Sequence, residues 1–216
     1  MRRRTLLAVG ATWPGWASAN VPALVRAAAA GDLAALRRLL DAGVPVDTRD
    51  AQGRTALLAA THADRVDAAR LLIGRGADVN AKDQMQDSPY LLAGAQGRLV
   101  ILRMTLAAGA DLKSTNRYGG TALIPAAHYG HVETVRELLK TRIDIDHVNR
   151  LGWTALLEAI ILGDGGAAHT EIVRLLVAHG ASLQRADAHG VTPLAHAEQR
   201  GQRTIVEILR RAGAQA

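Results

Sequence analysis

Thr55-Ala56-Leu57 returns 33 residues later as Ser88-Pro89-Tyr90, and at the same interval again as Thr121-Ala122-Leu123 and Thr154-Ala155-Leu156. Pro22-Ala23-Leu24 fills the same slot one step back. The next copy, Thr192-Pro193-Leu194, comes after 38 residues, so the unit between carries a five-residue insertion. A second marker keeps this register: Gly43, Gly76, Gly109, Arg142, Gly180 and Gly213. Self-similarity at a fixed period of roughly 20–50 residues is the mark of stacked units, each too small to bury its apolar face alone.

Within a unit, a Thr or Ser followed by Pro or Ala predicts a helix start, because the hydroxyl caps free amides and Pro tolerates the first turn. In the fourth unit, Gly130-His131 joins this short helix to Val132-Glu133-Thr134-Val135-Arg136-Glu137-Leu138-Leu139, where apolar residues recur at helical spacing. Gly76-Ala77-Asp78-Val79-Asn80 then supplies a left-handed glycine that ends the second helix, and an extended run to the next turn. Each unit is therefore expected to be helix, turn, helix and hairpin-like loop, and the fold class all-α.

Composition agrees with thin, close-packed helices. Of 216 residues, 49% are apolar but only 3% aromatic, and Phe is absent, so the core must be built from Ala, Leu, Val and Ile. Cys is also absent, which excludes a disulfide framework, a thiol nucleophile and thiolate-bound zinc. The formal charge of +6 includes Arg2, Arg3 and Arg4; without these three it is +3, too small an excess to argue for nucleic acid as a partner.

Residues 1–19 differ from the rest. Met1-Arg2-Arg3-Arg4 is basic, Thr5 to Ala11 is apolar, and Ala17-Ser18-Ala19 ends in the small-x-small pattern that a signal peptidase accepts. A signal peptide cleaved after Ala19, of the Sec or the twin-arginine type, is expected, and with it export to a bacterial periplasm. The apolar stretch is too short for a membrane span of roughly 20 residues.

Gly53-x-Thr55-Ala56-Leu57, Gly130-His131-x-Glu133 and Gly76-Ala77-Asp78-Val79-Asn80, with their counterparts, resemble the ankyrin repeat family over residues 20–216. The resemblance implies an ankyrin repeat solenoid of about six helix-turn-helix repeats, at 20–52, 53–85, 86–118, 119–151, 152–189 and 190–216. The histidine usual in the family's T-P-L-H is replaced by Leu58, Leu91, Ile124, Leu157 and Ala195, so apolar packing is expected in its place. Members of the family bind partners with their loop tips and the exposed side of the first helix. Carried onto this chain, that face holds Arg117, Tyr118, His128, Tyr129, Arg150, Trp153 and Leu162. Three of the four aromatics beyond residue 19 fall in this set, beside two arginines, and Tyr, Trp and Arg dominate interface hot spots. A partner-binding patch over the third to fifth repeats is expected.

Gly152-Trp153-Thr154-Ala155-Leu156-Leu157-Glu158-Ala159-Ile160, followed by Gly163-Asp164-Gly165-Gly166 and His169, is similar to a subgroup of exported bacterial ankyrin proteins, some of them associated with catalase and peroxide resistance. The resemblance implies a monomeric, non-catalytic module that supports a partner enzyme such as catalase. An immunity protein against a secreted toxin belongs to the same class.

The insertion Leu162 to His169 is expected to lengthen the turn between the two helices of the fifth repeat. As a phosphate cradle it lacks the following Lys-Ser or Lys-Thr, and Asp164 would repel an anion. Glu158 stands in a first-helix slot held by Ala59, Leu92, Pro125 and, in the next repeat, His196. A polar pair between Glu158 and His196 is expected, because a partly buried carboxylate demands a partner. The alternative is a metal or small-ligand site built from Glu158, His169 and His196, although no tight ligand spacing supports it. No nucleophile elbow and no facing pair of carboxylates is found, so no enzyme, no cofactor and no resident metal are expected.

Overall fold

The computed structural model describes residues 14–215. Twelve helices follow one another in this span: α1 Pro14–Ala30, α2 Leu33–Asp41, α3 Ala56–His62, α4 Val66–Gly74, α5 Pro89–Ala95, α6 Leu99–Ala107, α7 Leu123–His128, α8 Val132–Leu138, α9 Ala155–Ile161, α10 Ala167–Ala178, α11 Pro193–Gln199 and α12 Arg203–Arg211. No strand occurs among the described residues. Odd-numbered helices pack on odd-numbered neighbours and even on even, so two helical layers run the length of the stack. This is the six-unit solenoid that the period predicts.

The caps form where the hydroxyls predicted them. Thr55, Ser88, Thr154 and Thr192 accept the amides of Leu58, Leu91, Leu157 and Ala195, each at 3.2 Å. Each such bond satisfies one of the helix's orphan donors and contributes about 1 kcal/mol. Thr121 departs from the pattern: α7 begins at Leu123, and the buried Thr121 hydroxyl has no partner.

Equivalent positions bury equivalent side chains. Leu24, Leu57, Leu123 and Leu156 are almost wholly enclosed between layers, with Tyr90 in the same slot of the third unit. Leu58, Leu91, Ile124 and Leu157 are buried as expected. Burying each such side chain contributes roughly 2 kcal/mol.

Two departures concern the first and fifth units. The first helix starts at Pro14, well before the expected slot at Pro22, which now lies inside it. Of the expected signal peptide, residues 1–13 lie outside the described residues, and residues 14–19 are the first turns of α1. In the fifth unit the insertion does not all become loop. Ala167, Ala168 and His169 join α10, making it 12 residues long. Leu162 to Gly166 make the turn. Gly163 is required there, because a Cβ would come within 2.1 Å of the Ala159 carbonyl oxygen and 2.7 Å of the His169 ring.

Candidate functional site

Every hairpin loop is organised by one short polar residue: Asp50, Asp83, Asn116, Asn149 or Asp187. A side-chain oxygen of each accepts the amides two and four residues on, which is why Asp and Asn head turns. In the fourth loop, Asn149 Oδ1 takes Leu151 N at 2.9 Å and Trp153 N at 3.0 Å. Its amide nitrogen is left free to donate elsewhere. It donates to Glu158 Oε1 at 2.7 Å.

The next loop uses the same geometry with the charges exchanged. Asp187 Oδ1 serves His189 N and Val191 N, while its Oδ2 meets His196 Nε2 at 2.9 Å. The expected Glu158–His196 pair is therefore not formed. Both residues occupy the same helical slot, nine positions after the loop head that precedes their helix, and each is paired with that head rather than with its counterpart across the stack.

The Glu158, His169 and His196 ligand set fails for the same reason. His169 points Nδ1 at Asp164 Oδ1 and Nε2 at the His128 carbonyl oxygen, both at 2.8 Å. The three side chains have three different sets of partners. Among the described residues, no group of three or more His, Asp or Glu is placed to hold a metal ion.

A groove of about 770 Å³ runs along the first-helix side of the third to fifth repeats. Five of the expected partner-binding residues, Arg117, Tyr118, His128, Tyr129 and Leu162, line it. Tyr118 is 53% exposed, Tyr129 61% and Leu162 43%, values that large apolar side chains rarely reach in one place without a partner. The Arg117 guanidinium sits 4.8 Å from the Tyr118 ring centroid and 3.8 Å from Asp87 Oδ2. His128 and Tyr129 stack with centroids 4.3 Å apart.

Trp153 and Arg150 do not line the groove. Trp153 is half-buried, and its carbonyl accepts Asn149 N across the loop. Arg150 is exposed, but its guanidinium donates to the Arg117 carbonyl at 2.8 Å and its amide to the Tyr118 carbonyl at 2.9 Å. It fastens neighbouring hairpins, as Gln84 does two units earlier through Ala51 and Gln52.

Leu151, 51% exposed, lines the groove and was missed, although it stands one period after the loop-tip Tyr118. Asn149 and Glu158 were also not placed in the groove from the sequence, whereas Gln96, which aligns with the exposed side of the first helix, does line it. Glu158 is 6% exposed, and burial pushes its carboxyl up to about 7, against the pull of the Asn149 amide. Burial, with His169 nearby, holds the His128 imidazole below its ordinary value. His128 Nδ1 lies 3.6 Å from Glu158 Oε2, beyond hydrogen-bond reach.

Stacked two-helix units, Asx-headed loops and a groove on the first-helix side can be compared with known proteins. Family models described as ankyrin repeats in many copies, ankyrin repeats in three copies and a single ankyrin repeat match residues 24–73, 91–166 and 151–188. The ankyrin repeat domain ABAYE2397 of Acinetobacter baumannii AYE is 58% identical, with a TM-score of 0.86 over 89% of this chain and 98% of that one. The chain belongs to the ankyrin repeat family. The ankyrin repeat protein EF0377 is 43% identical with a TM-score of 0.85, over 90% of this chain and 98% of its own. The ankyrin repeat domain of Bcl-3, a member of the IkappaB family, is 30% identical with a TM-score of 0.79, over 89% of this chain and 86% of its own. The ankyrin repeat protein YahD of Escherichia coli (strain K12) is 49% identical over 57 residues, a match that spans 26% of this chain and 28% of YahD. Ankyrin repeats make the chain a protein–protein interaction module. Among the described residues, no helix is long and apolar enough to cross a membrane.

Proposed function

We propose that this ankyrin chain is a non-catalytic holder of another protein, which it grips as a single chain in the groove over its third to fifth repeats. The convergence of exposed Tyr118, Tyr129, Leu151 and Leu162 on one concave surface supports this reading. Apolar and aromatic side chains gathered there lose water when a partner docks, and they pay little entropy because the repeats already hold them in place. The basic, apolar and small-residue order of residues 1–19 supports export to the bacterial periplasm. The likeness to exported ankyrin proteins associated with catalase suggests an enzyme of oxidative-stress defence as the partner.

The test is affinity capture from the periplasmic fraction of cells making either the unaltered chain or the double variant Tyr129→Ala and Leu162→Ala. Both side chains are exposed, so helical content is expected to be unchanged. The unaltered chain is expected to retain a specific partner that the variant releases. Equal retention by both would place the interface elsewhere.

A further inference from the structure

Glu158 is a buried acid in the groove that the fold does not explain. Other repeats fill its slot with Ala59, Leu92, Pro125 or His196, the last already paired with Asp187, so packing there does not call for an acid. It is more than nine-tenths buried, yet only Oε1 has a hydrogen bond, from Asn149. An ionised carboxylate offers about four acceptor positions, and because Glu158 lines the groove those that Asn149 leaves open are available to a donor entering it. The charged or titratable neighbours do not meet the need. His128 stands at 3.6 Å, His169 is turned to Asp164 and to the His128 carbonyl, and His196 is held by Asp187.

The other groove charges limit what could satisfy this carboxylate. Arg117 is engaged with Asp87 and with the Tyr118 ring, so it leaves Glu158 unpaired. A phosphate or carboxylate group entering the groove would meet that acid and be repelled. A guanidinium would instead fork onto it through two parallel N–H bonds, or an ammonium would donate to it singly. The exposed Tyr129 and Tyr118 faces are of the kind that stack against a cation.

We infer that Glu158 is the specificity residue of the groove and receives an arginine or lysine side chain projecting from the bound partner. This rests on the protein-binding reading and adds to it the chemistry of the partner's anchor. The acid is held in place by Asn149, whose other contacts are all to its own loop, so the receptor is formed before the partner arrives.

The test uses the full chain and needs no partner. Nα-acetyl-arginine amide, Nα-acetyl-lysine amide and the uncharged isostere Nα-acetyl-citrulline amide are titrated separately while NMR follows the Glu158 carboxyl carbon and the Asn149 side-chain amide. The two cations are expected to give saturable, millimolar shifts at both positions, with citrulline at least about tenfold weaker. Glu158→Gln keeps the Asn149 bond and is expected to lose at least about tenfold in cation affinity. Glu158→Leu, which copies Leu92, guards against a folding defect in the Gln variant and should lose the same binding. Saturation by citrulline equal to that by arginine, no saturable shift with either cation, or undiminished binding by both variants would overturn the assignment. Failure here with partner capture intact would remove the anchor and leave the groove. Failure of capture with cation binding intact would do the reverse.

Discussion

His169 Nε2 lies 2.8 Å from the carbonyl oxygen of His128, joining the first turn of α10 to the end of α7. The contact belongs to a ladder. Arg65 Nε donates to the Ala29 carbonyl at 3.1 Å, the His131 ring bonds to the Ala95 backbone, and Gln202 donates to the Ile160 carbonyl at 3.0 Å. In each step a residue at the start of one second helix satisfies an orphan carbonyl at the end of the preceding repeat's first helix. His169 does this from inside α10, because the insertion added residues ahead of it. Its other nitrogen meets Asp164, and since both partners are acceptors, both bonds form together only when each ring nitrogen carries a proton.

His169→Ala is therefore expected to lower stability by about 1–2 kcal/mol and to loosen the turn at residues 163–166. Denaturant unfolding and amide exchange of that turn measure the two effects. A turn with unchanged protection would show that Asp164 and the glycines hold it without the ring.

Glu158 should make stability depend on pH in an unusual direction. Its folded carboxyl titrates near 7 against an ordinary 4.5, so between those values the folded chain keeps a proton the unfolded chain has released. Stability then falls as pH rises through that window. His128 and His131 act oppositely, since burial holds both below their ordinary value and the unfolded chain takes up protons first as pH drops. Glu158→Gln removes the first effect and keeps the second. Relative to the unaltered chain, the variant should gain on the order of 2 kcal/mol between pH 4.5 and 8. Urea unfolding at several pH values measures this, and parallel curves would contradict the raised carboxyl.

Tyr90 is fully buried in a slot that other units fill with Leu, and its hydroxyl has no partner. An orphaned buried hydroxyl costs about 1–3 kcal/mol. Tyr90→Phe should raise stability by about 1 kcal/mol without altering the repeats, and a lowered melting temperature would reveal a partner for the hydroxyl.

Arg150 and Tyr129 should separate stability from binding. Arg150→Ala removes an exposed staple between hairpins and should cost about 1 kcal/mol while leaving partner capture unchanged. Tyr129→Ala should do the reverse, because Tyr129 is exposed on the groove and no core packing depends on it. Thermal melts and capture on the two variants decide this, and weakened capture by Arg150→Ala would return that arginine to the interface.

The period and the Thr or Ser caps made the fold legible, because stacking repeats the same local solution at every unit. The register also points to the groove, and carrying it one step past Tyr118 finds Leu151. Partner choice among polar side chains was not legible in the same way. Equivalent slots suggest that Glu158 and His196 meet across repeats, but the loop heads Asn149 and Asp187, each nine residues upstream, offer complementary groups and take them. Trp153 and Arg150 look like interface residues by type alone. The hairpin geometry that occupies them depends on carbonyls, which carry no side-chain signal.

The most direct test of the protein-holding groove places a photo-crosslinking phenylalanine analogue at position 129, facing the groove, or at position 174, exposed on α10 away from it. Irradiation of intact cells is expected to give a discrete adduct of one added protein from position 129 and none from 174. Adducts from position 174 alone, or none from 129 with the protein folded and abundant, would contradict the account.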